Sequence, residues 1–161
     1  MQITEKNIFS NRGFIMNHIR TAFSLGLFLG VFISSQTLAK SEVLSPISID
    51  GTVKIDAEGV IDLVDKFSEL TIIDSRIEAD RKQGYIEGSI SLPNTETNCE
   101  TLSKIIKSYS HPALFYCNGI KCGRSAKAIK IALSCGYSKL YWFRGGYEEW
   151  LAKGYPVVGS N

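Results

Sequence analysis

After residue 50 the apolar positions switch repeatedly between short continuous runs and helical spacing, and that alternation outlines a fold. Strand-like TVKI at 52–55 leads to Asp56, a helix-capping residue type, and then to Val60, Leu63, Val64 and Phe67 at the i, i+3, i+4, i+7 spacing of one helix face. Leu70 to Asp74 is a short apolar run suited to a buried parallel strand. Arg76 to Gln83 is polar and reads as a short helix or loop, and Ser89 to Leu92 as another strand. Thr97 and Glu100 have the spacing of a capping box ahead of a helix with Leu102, Ile105, Ile106 and Tyr109 on one face. A strand at 113–117, a helix at 124–135, a strand at 139–143 and a helix at 146–153 complete the chain. Strands alternating with helices predict an α/β domain, a mostly parallel sheet flanked by helices on both faces. There is no internal repeat and no low-complexity segment.

The first 39 residues stand apart from this alternation. Residues 21–39 carry no charge, Arg20 lies just before them, and TAFSLGLFLGVFI is an apolar core of the secretory kind. Small residues at Thr37 and Ala39 fit a cleavage site, so residues 1–39 read as a signal peptide, 40–50 as a Ser-rich linker and 51–161 as the domain. The stretch before the core is long if translation begins at Met1; a start at Met16 gives MNHIR and then the core. The competing reading is an uncleaved membrane anchor, against which the core of about 13 residues falls short of the roughly 20 that span a bilayer. The expectation is therefore an exported protein, periplasmic in a Gram-negative host, without stable membrane insertion after cleavage.

Cleavage after Ala39 removes the basic excess, leaving 15 basic and 15 acidic residues. No basic stripe then suggests nucleic acid as a partner. All four cysteines (Cys99, Cys117, Cys122, Cys135) fall in the exported part, where disulfides can form. His111 is the one histidine that remains, which argues against His-ligated metal sites and Cys–His dyads; it reads as a turn residue ahead of Pro112. Neither a metal nor a cofactor is expected.

The densest chemistry lies in FYCNGIKCGRSAK, residues 115–127. An apolar run delivers Cys117 to the end of a buried strand; a loop with Gly119, Lys121, Cys122 and Gly123 follows, and Arg124-Ser125 opens a helix with Ala126, Ile129, Ala132 and Leu133 on one face. A thiol so placed faces free backbone N–H groups and the positive end of a helix dipole, both of which favour the reactive thiolate. A cysteine at a strand end is also an ordinary small core residue. Packing alone, however, does not call for two glycines, two cations and a second thiol around it. Ser125 would cap the helix, hydrogen-bond the loop, or do both.

This segment resembles the active-site loop of the rhodanese (sulfurtransferase) family, in which an aromatic-Cys strand end leads through a Gly-containing loop to Arg-Ser and an Ala-rich helix. TIIDSR (71–76) is similar to the family's strand ending in Asp-x-Arg, GYIEGSISLP (84–93) to its Gly-His-Ile-x-Gly-Ala segment, and GYSKLYWFRGGYEEWLAKGYPV (136–157) to its closing strand, Gly-Gly, Trp and Gly-x-Pro. The four fall in order across residues 50–158. The resemblance implies a rhodanese-like fold in which Cys117 takes a sulfane sulfur from a small-molecule donor such as thiosulfate. The sulfur would be held as a persulfide and passed to a thiol acceptor, small or protein. Arg124 and Lys121 would hold an anionic donor, or else be solvated cations at the loop rim, and the loop N–H groups would stabilise the anionic sulfur. Asp74 and Arg76 would fix neighbouring loops, with Glu87 a candidate charge partner for Arg76. Trp142 and Trp150 read as core, and Cys135 as packed.

Two departures stand out. Six residues separate Cys117 from Arg124 where the family has four, and Tyr85 stands where histidine is common. A Cys-dependent phosphatase would need five residues in that interval. The extra length includes Cys122, which makes a thiol–disulfide redox protein using Cys117 and Cys122 an alternative, with Cys122 a candidate resolving thiol. A non-catalytic sulfur carrier or interaction module is another. For the exported form, N-terminal sequencing is expected to begin at Lys40; recovery of an intact membrane-embedded chain would favour the anchor.

Overall fold

A computed structural model describes residues 45–159, so the signal-peptide and start-site expectations lie outside the described residues. Among the described residues, seven strands and five helices follow one another as β1 (Thr52–Ile55), α1 (Ala57–Lys66), β2 (Thr71–Asp74), α2 (Glu78–Arg81), β3 (Tyr85–Ile86), β4 (Ile90–Ser91), α3 (Cys99–Ile105), β5 (Ala113–Tyr116), α4 (Arg124–Ser134), β6 (Leu140–Phe143), α5 (Gly146–Ala152) and β7 (Val157–Val158). Five strands form one sheet in the order β1-β6-β5-β2-β4, every pair parallel. The protein is an α/β domain built on a parallel five-stranded sheet with helices on both faces, as the sequence predicts.

The strand sequences explain the layering. Along β5, Ala113 and Phe115 point into one core while Leu114 and Tyr116 point into the other, and all four are fully buried. Continuous apolar runs of this kind belong to parallel strands covered on both sides. One core joins Phe115, Ile73 and Trp142 to α3 and α4 through Leu102, Ala126, Ile129 and Ala132. The other joins Leu114, Tyr116 and Phe143 to α1 and α5 through Ala57, Val60, Tyr147 and Trp150. From β2 the chain leads outward to β4, and from β5 outward to β6, so the connections diverge at the β2–β5 pair. In open parallel sheets, a crevice at the carboxyl ends of such a pair is where ligands bind. Cys117 lies there, one residue beyond β5.

Several boundaries differ from the sequence expectation, each for a local reason. Asp56 caps α1 as expected, its carboxylate accepting from Gly59 N at 2.9 Å. The capping box of α3, however, is formed by Asn98 and Thr101, not Thr97 and Glu100: Asn98 Oδ1 accepts from Thr101 N at 2.9 Å, and Thr101 Oγ1 accepts from Asn98 N at 3.0 Å. Thr97 instead donates to Pro93 O at 3.1 Å. α3 stops at Ile105, because the following residues turn toward Pro112 with His111 N donating to Ser108 O at 3.1 Å. Tyr109 therefore leaves the helical face and packs its ring 5.3 Å from that of Tyr137. His111 is buried, with Nε2 3.0 Å from Thr71 Oγ1. An antiparallel β3–β7 pair has no sequence signature, since two-residue strands carry no period.

The cysteines divide into two pairs. Cys99, the first residue of α3, and Cys135, at the C-cap of α4, form a disulfide with Cα atoms 5.5 Å apart; Cys117 and Cys122 remain thiols. Cys135 is thus bonded rather than merely packed. Among the described residues no helix is long and apolar enough to cross a membrane.

The cross-link closes a loop of 36 residues. By loop-closure entropy such a cross-link contributes about 3–4 kcal/mol. Urea unfolding of a Cys99→Ala, Cys135→Ala double variant is expected to show stability lowered by about 3 kcal/mol. Thiol titration of the unreduced, unfolded wild type should find two free thiols.

Candidate active site

The loop that follows Cys117 is fixed at its start by α5. Tyr147 N donates to Cys117 O at 2.8 Å and Glu148 N to Asn118 O at 2.7 Å, so the first turn of α5 holds the two carbonyls that open the loop. This approach requires Gly146: its φ is +60°, and a Cβ there would strike the Cys117 carbonyl oxygen. Further along, Cys122 N donates to Gly119 O at 2.9 Å, a turn that folds the loop back over Cys117. Gly119 lies against the carboxylate of Glu148, and Gly123 serves as the N-cap of α4.

Cys117 is 1% exposed, and its thiol donates to Cys122 O at 3.1 Å. Ser125 Oγ donates to Cys117 Sγ at 3.3 Å and accepts from Trp142 Nε1 at 3.0 Å. Because Trp142 occupies the hydroxyl as donor, the Ser125 proton is directed at the sulfur. Ser125 is therefore a loop ligand and not a helix cap, and Trp142 is core and second-layer support at once. The tryptophan's role had no sequence signal beyond its place in a strand next to β5.

Arg124 is not a solvated cation at the loop rim but is already paired within the protein. Its guanidinium bonds Asp80 Oδ2 at 2.7 Å, and Asn118 Nδ2 donates to the same oxygen at 2.9 Å. Asp80, on α2, was missed by sequence reasoning because its segment is uniformly polar. Lys121 is exposed. Together with Asn118, Cys122, Gly123, Arg124 and Glu148 it lines an open depression of about 400 Å³ over the loop.

Beneath the loop, Asp74 is 0% exposed and Arg76 1%. Asp74 accepts from Arg76 N at 3.0 Å, Nε at 2.9 Å and Nη2 at 2.7 Å, from Tyr116 Oη at 2.9 Å and from Arg81 Nη1 at 3.0 Å. Burial alone would raise the Asp74 carboxyl, but the hydrogen bonds and charge of Arg76 prevail and hold it below its ordinary value. Arg76 also donates to Gly84 O at 2.8 Å and lies 4.2 Å from the Tyr147 ring centroid. Glu87 is not its partner. That side chain is exposed and joins no ion pair among the described residues, since Asp74 already fills the guanidinium and Arg81 supplies the second cation. Arg81 further donates to Ser89 O at 2.6 Å and stacks on Tyr85, the residue standing at the histidine position.

Residues 56–153 match the family model of the rhodanese-like domain. The chain belongs to the rhodanese family. Its fold is similar to that of a Bacillus halodurans protein (24% identity, TM-score 0.59, covering 68% of this chain and 78% of that one). It is similar also to a polysulfide-sulfur transferase homodimer from Wolinella succinogenes (21%, TM-score 0.55, 68% and 80%). Thiosulfate sulfurtransferase from Pseudomonas aeruginosa matches at 20% identity and TM-score 0.58, over 68% of this chain and 21% of that larger one. No curated protein sequence matches the chain.

What sets this rhodanese loop apart is that it holds two thiols in one electrostatic unit. Hydrogen bonding from Cys117 draws Cys122 down to about 6 against the effect of burial, helped by the N–H groups of Arg124 and Asn118 and the Arg124 charge. Cys117 moves the opposite way: the bond to Cys122, then burial and the Cys122 charge, push it far up against the Ser125 hydroxyl. Both shifts run the same way, favouring the negative charge on Cys122 and the proton on Cys117. Cys122 is also the more exposed of the two. Iodoacetamide at pH 7 should therefore modify Cys122 first. Its rate should rise through a midpoint near 6 and then level off, because the thiolate forms as pH passes that value. Peptide mapping that finds Cys117 alkylated first would reverse the assignment.

Proposed function

We propose that this rhodanese is a sulfurtransferase that carries a sulfane sulfur on Cys117. The observation that supports the reading is the seating of Cys117 at the carboxyl end of β5, under a loop closed by α4 and α5, with the Ser125 hydroxyl aimed at its sulfur. With thiosulfate as donor, the Cys117 proton passes to the Cys122 thiolate and the Cys117 sulfur attacks the outer sulfur of the donor. The donor's S–S bond breaks with its electron pair leaving on sulfite, and Cys117 holds an anionic persulfide. An acceptor thiol, a protein thiol or cyanide then attacks the outer sulfur and returns the Cys117 thiolate. Ser125 stabilises the charge in both states, a donor set in place before charge develops.

Lys121 and Arg124 are the cations a dianionic donor would meet, and Arg124 would do so while bound to Asp80. We assign the protein to an exported, oxidising compartment, the periplasm in a Gram-negative host. The Cys99–Cys135 disulfide supports this, since structural disulfides persist where thiols are not kept reduced. The second reading, thiol–disulfide exchange without sulfur, draws on the Cys117–Cys122 pair.

Intact mass after incubation with thiosulfate distinguishes them. Wild type is expected to release sulfite as Cys117 takes up the sulfur, the added mass being retained when Cys122 is replaced by serine, and Cys117→Ser to show neither, because a hydroxyl is a far weaker nucleophile. Full transferase activity in Cys117→Ser would refute the mechanism. Arg124→Ala should raise KM for thiosulfate about tenfold, the loss expected for one charge-assisted hydrogen bond, and leave use of a neutral donor intact. Equal losses with both donors would assign Arg124 to structure.

A further inference from the structure

The six-residue loop does more than enlarge the mouth of the site. Its 119–122 turn brings Cys122 back so that the Cys117 thiol donates to the Cys122 carbonyl at 3.1 Å. Cys122 is thereby held within the same turn of chain as the buried thiol, and its own side chain is the less buried of the two and lines the depression over the loop.

We propose that Cys122 is an internal resolving thiol, which makes this protein a sulfane-sulfur reductase that releases hydrosulfide from the Cys117 persulfide. The inference rests on the sulfur-transfer reading above and extends it to a second reaction at the same site. When Cys117 has been loaded, Cys122 carries the proton it accepted from Cys117. That proton moves to the outer sulfur of the persulfide, and the Cys122 thiolate so formed attacks the inner sulfur, Cys117 Sγ. The bond between Cys117 Sγ and the outer sulfur breaks with its electron pair on the protonated outer sulfur, which leaves as hydrosulfide. A Cys117–Cys122 disulfide remains, and no external oxidant is consumed. A dithiol reductant then restores the two thiols by exchange, ending as its own disulfide.

Two features make this pair suited to the step. Cys122 approaches by way of a short turn, so the ring closed by the disulfide is small and the attack is intramolecular. Its sulfur is also the one poised as thiolate near neutral pH, the state from which exchange proceeds. The Cys99–Cys135 bond takes no part, being made by the far ends of α3 and α4.

The test is a single turnover without added thiol. Wild-type protein, its active-site pair reduced and the reductant removed, is mixed with one equivalent of thiosulfate, and sulfite, hydrosulfide and protein mass are followed. Wild type is expected to release sulfite and then one hydrosulfide per chain, and to yield a peptide linking residues 117 and 122. Cys122→Ser should release sulfite but hold the sulfur on Cys117 until cyanide or a thiol removes it. The linked peptide is read in wild type alone, so a poorly folding variant does not decide the outcome. A persulfide equally long-lived in both proteins, or wild-type turnover with no linked peptide, overturns the proposal while leaving sulfur transfer intact. Absence of sulfite release from wild type overturns the sulfur-transfer reading, and this one with it.

Discussion

The Asp74 carboxylate has no contact with water, and most of what positions the reactive loop is arranged to make that tolerable. An isolated carboxylate in such a place would be costly enough to neutralise itself. Here Arg76, Arg81, Tyr116 and a backbone amide supply the hydrogen bonds that keep it charged. Each of those donors leads somewhere useful. Tyr116 is the last residue of β5 and directly precedes Cys117, and burial together with the Asp74 charge pushes its hydroxyl up so that it remains a donor. Arg76 reaches Gly84 O and the Tyr147 ring, tying the carboxylate to β3 and to the first turn of α5. Arg81 is the neighbour of Asp80, which anchors Arg124 and Asn118 at the two ends of the loop. Removing one partner of such a buried pair typically costs about 3–5 kcal/mol, and in this molecule the cost would fall on the elements that frame the thiols.

Much of this was legible in the sequence because the relevant signals are local. Runs such as Ala113–Tyr116 and Leu140–Phe143 are apolar without alternation, which only a sheet covered on both faces accommodates. A cysteine after one of these runs, followed by glycines and then a helix, placed Cys117 at the carboxyl end of the sheet, where the structure has it. What could not be read depends on tertiary neighbours. Asp80 is one carboxylate in a polar stretch, and only the packing of α2 against the loop makes it the partner of Arg124. Cys99 and Cys135 are joined because the start of α3 meets the end of α4, a meeting that no spacing encodes. The capping box moved by one residue because Asn98 competes with Thr97 for the same role, and both residue types are good caps. Ser125 looked like a cap on the same grounds, until its hydroxyl was seen to be held between Trp142 and a sulfur.

The mouth of the site is electrically mixed. Lys121 and Arg124 are set against Glu148 and Asp80, so the depression carries no strong excess of either sign. A field of that kind gives little long-range steering to a small anion, and discrimination then falls to close contacts: the loop amides, the Ser125 hydroxyl and the thiols themselves. Cys122 lines that depression whereas Cys117 is buried beneath the loop, so Cys122 is the sulfur that faces the mouth.

Helix α4 has a further role once both kinds of sulfur pair are considered together. It begins beside the reactive thiols and ends in Cys135, eleven residues later. At 1.5 Å per residue its length is about 16 Å. Thiol–disulfide exchange proceeds only by direct attack of one sulfur on another, so that length is an insulator. Redox cycling of the kind proposed for the loop would leave the permanent cross-link out of reach, so that a durable bond and a free pair of thiols share one small domain without scrambling.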